Sequence, residues 1–488
     1  MKLYENWEKL SRLPKEEIKK LQDKKAAYFV RHQLPYSPYY RELFAKNNLK
    51  FSDIKSTDDL QKIPLSSKAD LAPTPDNPGR PRTFILQPDE HLIKKYASKG
   101  ELLKIIAKKI KGQDVKRELE WQYKPIHLHF TTGRSAAPTP YGYSARDLEV
   151  LKETGERMLS VIKVSRDQVA INAFPFSPHL AFWLAYYALT KLGMTSLHTG
   201  GGKVMGTQKI IDAIEKMKAS LIVYIPGYGY HMLRQAAEQK RNFSNVKYII
   251  TGGERIGQGL RDKTREVLEQ MGAKMPQIYA TYAMTESKGA WIQCAESTGY
   301  HTYPDLEFLE IVDKEGNRVK EGEAGELVIT LLGWRGSMVV RYRTGDLVKG
   351  INYDPCPHCG LTVPQIFPDI QRSSDMKEFH LTKVKGELIN LNNIYPLLSG
   401  LKEIEEWQVE IRKKDNDPFE VDEMVLYVAS KKEVKEWTIF EKKLAEKFNY
   451  EVGVTPIIIK EAVAKILHRV GMESELKEKR IIDIRPKD

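Results

Sequence analysis

Apolar positions recur at helical spacing over residues 1 to about 60, where WEKLSRLPKEEIKKLQDKKAAYFVRHQL carries an apolar stripe between charged faces. From about 125 to 350 the pattern changes. Short apolar runs (QVAINAF, ASLIVYIP, VKYIITGGE, KMPQIYATY) alternate with amphipathic stretches such as ARDLEVLKETGERMLSVI and TQKIIDAIEKM. Strand–helix alternation of this kind predicts a largely parallel sheet covered by helices. The segment DLEFLEIVDKEGNRVKEGEAGELVITLL reads as β-hairpins, with EG and GE turns between alternating runs. Beyond Arg372, WQVEIRK and EMVLYVAS are strand-like and TIFEKKLAEKF is an amphipathic helix, which together predict a small α+β unit. The expected fold class is α/β: a large N-terminal domain over 1–371 with helix-covered mixed sheets, then a small, mobile C-terminal α+β domain over 372–488.

A chain of 488 residues is too long for one ordinary core, so two or more domains are expected. With 41% hydrophobic and 29% charged residues it reads as a globular protein and not a disordered one. No run approaches the roughly 18–20 apolar residues that span a bilayer. The start, MKLYENWEKL, has charges where a signal peptide needs an apolar run, so a cytoplasmic location is expected. The net charge of +12 is spread along the chain. It reads as solvated helix faces, or as a surface that attracts polyanions, among which nucleotides qualify as well as nucleic acid. Abundant Lys and Glu also suggest heat adaptation.

In doubly wound sheets, ligands bind where loops leave the carboxyl ends of strands. Three motifs stand at such places, after IHLHF, VKYIIT and PQIYATY, and a fourth, RYRTGDL, closes the sheet region. FTTGRSAAPTP, Phe130 to Pro140, offers small residues and hydroxyls whose backbone N–H groups can approach phosphate oxygens, with Arg134 adding charge; a plain surface loop is the alternative. In TGGERI, Thr251 to Ile256, two glycines permit close approach of a flat base to the backbone, or simply a strand-to-helix turn. YAMTE gives Tyr282 as a stacking face, Thr285 as a hydroxyl and Glu286 as a hard oxygen ligand suited to magnesium, unless it is only a buried turn. RYRTGDL places Asp346 beyond a glycine turn, able to accept both hydroxyls of a ribose or to cap that turn.

The order TTG, GGE, YAMTE, YRTGD, RSSDM resembles the adenylate-forming superfamily of acyl- and aryl-CoA synthetases. Within it the chain is most similar to the phenylacetate–CoA ligase family, through GYHTYPDLEFLEIVD, GELVITLL, CPHCG and SELKEKRIIDIR; the similarity covers residues 20 to 488. The resemblance implies that Thr131, Thr132, Gly133 and Arg134 hold the β- and γ-phosphates of ATP. Gly252, Gly253 and Glu254 would line adenine, with Tyr282 stacked on it. Thr285 would touch the α-phosphate, Glu286 would bind Mg2+, and Asp346, helped by Arg372, would hold the ribose. Lys477 matches the C-terminal lysine that bridges carboxylate and phosphate oxygens during adenylation, and a mobile cation with magnesium can offset the charge that builds there. Gly386, in KVKGELIN, resembles the glycine loop of the coenzyme A pantetheine channel.

Three departures from the pattern are visible. The phosphate loop carries an extra AA between Ser135 and Pro138 and is led by His127 to Phe130, Arg134 stands where a lysine is common, and the hinge falls near Ser374 with Asp375 beside it.

All three cysteines sit in two short segments flanking the hairpin region. Cys356 and Cys359 have the C-x-x-C spacing of a zinc knuckle, and Cys294 with His301 would complete a closed Cys3His set for structural Zn2+. His358 is the alternative fourth ligand, and three unrelated thiols in a reducing cytosol the plainer reading. The acid pocket is expected between Phe174–Trp183, Tyr224–Tyr230 and Tyr279–Ala283, where aromatics and glycines suit a flat or apolar acid.

The expected reaction is activation of a carboxylic acid by Mg·ATP as an acyl-adenylate, then transfer to coenzyme A, with neither nucleic acid nor membrane as partner; a homodimer stays open. The rivals are an adenylyltransferase moving AMP to a cofactor hydroxyl, such as that of a deazaflavin, and a nucleotide-binding protein that has lost catalysis.

Overall fold

The computed structural model describes residues 3–131, 138–373, 376–381, 384–417, 420–431, 434, 436–475 and 477–485. The chain forms two compact units: residues 1–168, 178–196 and 281–370 make the first, and 169–177, 197–280 and 371–488 the second. The expected hinge positions Ser374 and Asp375 lie outside the described residues, as do Thr132, Gly133 and Arg134 of the phosphate loop. No helix among the described residues is long and apolar enough to cross a membrane.

In the first unit the N-terminal stripe forms helices Lys15–His32 and Pro38–Lys46, with Phe29, Val30, Tyr40 and Phe44 buried. Helix Ala145–Val161 begins in a capping box. Ser144 accepts from the Asp147 N–H, and the Asp147 carboxylate accepts in return from the Ser144 N–H. The hairpin segment forms strands Glu307–Val312 and Gly325–Leu331, antiparallel and in register from Glu307 opposite Leu331 to Val312 opposite Glu326, and Tyr342–Val348 adds the next strand. Ala290–Gln293, Tyr300–His301, Gln365–Ile366 and Ile351–Asn352 pair antiparallel in sequence of contact, which brings the two cysteine segments side by side.

In the second unit the apolar runs form parallel neighbours: Val169–Asn172 beside Leu221–Tyr224, then Tyr248–Thr251, then Gln277–Ala280 of strand Gln277–Ala283. Helices Thr207–Lys216, Pro226–Glu238 and Gln258–Gln270 alternate with them. The C-terminal segment is α+β as its pattern predicts. Strands Ile404–Lys413 and Asp422–Ser430 pair antiparallel, Ile457–Lys460 and Ile481–Asp483 join them in parallel, and helix Trp437–Val452 packs Leu444 and Phe448 onto Trp407, Val409 and Leu426.

One glycine decides how closely two helices of the first unit approach. A Cβ on Gly155 would stand 2.6 Å from Ala188 Cβ and 2.8 Å from Ala188 Cα, a backbone atom that cannot step aside. Elsewhere in a helix, Gly→Ala gains about 1 kcal/mol, whereas overpacking costs about 1–3 kcal/mol. Gly155→Ala is therefore expected to lower stability by on the order of 1 kcal/mol. Urea unfolding measures the sign, and a gain would show that the two helices separate freely.

Candidate adenylate site

Strand Gln277–Ala283 carries Tyr282 as its penultimate residue, and the chain then turns through the 3-10 segment Thr285–Ser287. Three of the sequence-predicted groups here, Tyr282, Thr285 and Glu286, each meet a different partner. The Tyr282 hydroxyl donates to Asp346 Oδ2 at 2.6 Å, so the ring proposed to stack and the carboxylate proposed to hold a ribose belong to one hydrogen-bonded pair. The Tyr342 hydroxyl donates to Glu286 Oε1 at 3.1 Å, and Thr285 Oγ1 lies 3.5 Å from the Phe130 carbonyl oxygen. Thr131, next to Phe130, is buried and paired with Thr139: its N–H donates to Thr139 O, and its Oγ1 accepts from the Thr139 N–H at 3.0 Å.

On strand Pro125–Phe130, which leads to Thr131, stands a histidine pair that sequence reasoning passed over. His127 Nε2 and His129 Nε2 are 2.8 Å apart, and His127 meets the Trp183 ring edge-on. Their spacing is the signal: residues i and i+2 of a strand share a face, and IHLHF puts two imidazoles on one. Burial holds His129 down to about 3, with His127 and Lys288 adding to the effect, so it is neutral at ordinary pH.

A second overlooked group lies just after Glu286. Lys288 and Asp147 are both fully buried and pair at 2.8 Å. Nothing in the sequence separates this lysine from a solvated one.

In the second unit, the predicted Gly252, Gly253 and Glu254 follow strand Tyr248–Thr251. Gly253 takes φ +83°, a conformation that favours glycine, and its carbonyl accepts a 2.6 Å hydrogen bond from Lys477 Nζ. The structure thus brings Lys477 onto the GGE turn across 224 residues of chain. The segment behind Lys477 is held firmly. Arg480 is buried and paired with Glu406 at 2.9 Å and Glu478 at 2.7 Å, while the Lys479 carbonyl accepts from Gln408. Beside Lys477 is a small cavity of about 40 Å3, lined by Phe176, Gly202, Val204, Tyr228 and Glu473 among others. Ile225 and Tyr228, from the segment expected to line the acid, are part of it. Arg372 is exposed, with its N–H on Asn392, and Gly386 lies in strand Val384–Asn390 of a hairpin and not in a loop.

The four ligand atoms of Cys294, His301, Cys356 and Cys359 lie within 4.8 Å of one another, so this set could hold a tetrahedral metal ion. Cys294 Sγ is 3.5 Å from Cys356 Sγ, and Cys359 Sγ is 3.5 Å from His301 Nε2. His358 is not in the cluster.

Comparison with known proteins gives the same order of motifs a family. The AMP-binding enzyme family matches residues 146–333. Over that span the chain is similar to adenylate-forming enzymes. It is 25% identical over 398 residues to a phenylacetate–coenzyme A ligase of Thermus thermophilus, covering 79% of this chain and 78% of that one. It is 26% identical to the Aromatoleum evansii enzyme of the same name, over 70% of this chain and 68% of that one. Among solved structures, a 2-hydroxyisobutyryl-CoA ligase in its postadenylation state superposes with TM-score 0.74 at 20% identity, covering 99% of this chain and 93% of that one, and so shares the fold. The adenylate-forming fold expected from the motifs, with its smaller C-terminal domain, is the fold observed.

The histidine pair gives a pH dependence with a defined sign. His129 binds its proton near 6.5 when unfolded and only near 3 when folded. Between those values the unfolded state takes up more protons, so stability is full above about 6.5 and falls as pH drops through that window. His129→Gln is expected to flatten the fall by up to about 1.4 kcal/mol per pH unit. Urea unfolding at pH 7, 6 and 5 measures it, and parallel slopes in parent and variant would reject the assignment.

Proposed function

We propose that this adenylate-forming enzyme activates a carboxylic acid with Mg·ATP and passes the acyl group to coenzyme A, the acid being aryl or otherwise apolar. The observation that carries the reading is Lys477 Nζ resting on the Gly253 carbonyl, a flexible cation at the edge of the turn expected to line adenine. In-line attack of a carboxylate on the α-phosphorus concentrates negative charge between acid and phosphate, and an ammonium placed beside that turn can meet it. Glu286 would supply the magnesium ligand, with Tyr342 orienting it. Tyr282 and Asp346 would share the nucleoside, ring to base and carboxylate to ribose. The relatives whose names specify phenylacetate and the neighbour whose name specifies 2-hydroxyisobutyrate favour coenzyme A as acceptor over the hydroxyl of a cofactor. The proposal includes a division into 1–371 and 372–488, with the second part as the lid that carries Lys477.

Two measurements test the reading. Acid-dependent ATP–pyrophosphate exchange is expected with the parent protein, and consumption of coenzyme A is expected to follow. Lys477→Ala should reduce exchange by at least 100-fold while thioester formation from a supplied acyl-adenylate persists; equal loss of both steps would argue against the lysine's role. Zn2+ is proposed as the resident of the Cys3His set, where it would be structural because all four positions come from the protein. Cys356→Ser is expected to lower bound zinc from about one per chain, measured by elemental analysis, together with thermal stability. Unchanged stoichiometric zinc would reject it.

A further inference from the structure

The first unit holds a cavity of about 260 Å3 that the adenylate chemistry does not use. Its walls come from helices Lys99–Ile110 and Val115–Tyr123, and none of Thr131, Tyr282, Thr285, Glu286 or Asp346 lines it. One wall is apolar, with Tyr36, Ile105, Leu119 and Trp121. Against it stand Arg146 and Arg335, both buried.

The charge in this cavity does not balance. Its lining contains four cationic side chains, Lys104, Lys108, Arg146 and Arg335, against the carboxylates of Glu101 and Glu118. Lys108 and Glu118 pair with each other. Glu101 already accepts from Gln33 and from Ser98 at its own helix cap. Asp147, the nearest buried acid, spends both oxygens elsewhere: Oδ1 accepts the Arg335 backbone N–H, and Oδ2 accepts from Lys288 and the Gly336 N–H. Arg146 reaches it only at 3.9 Å. Arg335 gives one Nη1 bond to the Trp334 carbonyl, and its Nε is buried without a partner among the described residues. Burial, and after it the neighbouring Arg335, pull Arg146 down to about 9, while Asp147 opposes them.

A buried cation without a counter-ion costs several kcal/mol, whereas a carboxylate bound to a guanidinium gains two parallel charge-assisted hydrogen bonds. We propose that this cavity is a second ligand site, which takes an amphipathic carboxylate with its head on Arg146 and Arg335 and its apolar tail along Ile105, Leu119 and Trp121. Lys104 stands exposed at the rim, where it would raise the local concentration of anions.

Calorimetry of the full chain with octanoate, and with octanol as the uncharged control of equal length, tests this. Saturable octanoate binding is expected, with octanol at least tenfold weaker. Arg335→Met is expected to weaken octanoate at least tenfold while Mg·ATP binding stays unchanged, which separates this site from any binding of octanoate as an acid substrate. Leu119→Trp fills the apolar half without touching either guanidinium, and is expected to remove the same binding event should Arg335→Met not fold. Octanoate should also change tryptophan emission in the parent and not in Trp121→Phe. Octanoate heats that are equal in parent, Arg335→Met and Leu119→Trp would overturn the proposal.

Discussion

The first unit depends on one buried carboxylate. Asp147 sits in the first turn of helix Ala145–Val161, where an acid is favoured by the free N–H groups, and Ser144 makes it half of a capping box. Burial alone would raise its pKa. The Lys288 ammonium and Arg146 outweigh that, with the Gly336 N–H adding to them, and hold it below the ordinary range and charged. Its other bonds reach distant parts of the chain: Lys288 from the segment after Glu286, and the Arg335 and Gly336 backbones from the turn that precedes strand Tyr342–Val348. Tyr342 and Asp346, which meet Glu286 and Tyr282, are on that strand. A single charge thus sets the mutual position of the YAMTE turn and the RYRTGD strand. The geometry of the candidate nucleotide groups follows from a helix cap.

The second unit solves its own problem differently. Lys477 donates to the Gly253 carbonyl, while buried ion pairs lie three residues on, where Arg480 takes Glu406 and Glu478. Gly227 contributes by absence: a Cβ there would fall 1.7 Å from Glu478 Oε1, so the helix Pro226–Glu238 can receive that carboxylate only with glycine at this position. Anchoring and function are divided between neighbouring residues.

Much of this was legible in the sequence, for reasons that differ by element. The parallel strands were readable because each is a short apolar run bounded by amphipathic helix, and the hairpin Glu307–Val312 with Gly325–Leu331 because its turns and alternation agree. The Cys3His grouping could be read because cysteine is rare in this chain and the hairpin region between its two segments folds back on itself. His301, read as the fourth ligand with His358 as the alternative, is the histidine in the cluster, placed there by the pairing of Tyr300–His301 with Gln365–Ile366, a register that no local signal specifies. Gly386 was read as loop on resemblance and lies in a strand; a glycine between a lysine and a glutamate carries little strand signal of its own. Lys288, Arg146 and Arg335 were invisible as a group, since a buried cation and a solvated one are written with the same letters.

That last failure bears on how the two sites of the first unit relate. Charged residues are almost never fully buried unless paired, so a cluster of buried cations needs a reason in the fold. Lys288 has one, because Asp147 neutralises it and through it the YAMTE turn is held. Arg146 and Arg335 share the same acid only at its margins, through a 3.9 Å approach and a backbone N–H. The fold therefore carries more positive charge around Asp147 than that one acid neutralises, and both guanidiniums line a cavity with one apolar wall. Stability alone would have replaced those guanidiniums with hydrocarbon of similar volume at little or no cost. Arg146 and Arg335 each donate to a loop carbonyl, Gly333 and Trp334, but a carbonyl does not neutralise a guanidinium, and an anion that enters from outside would.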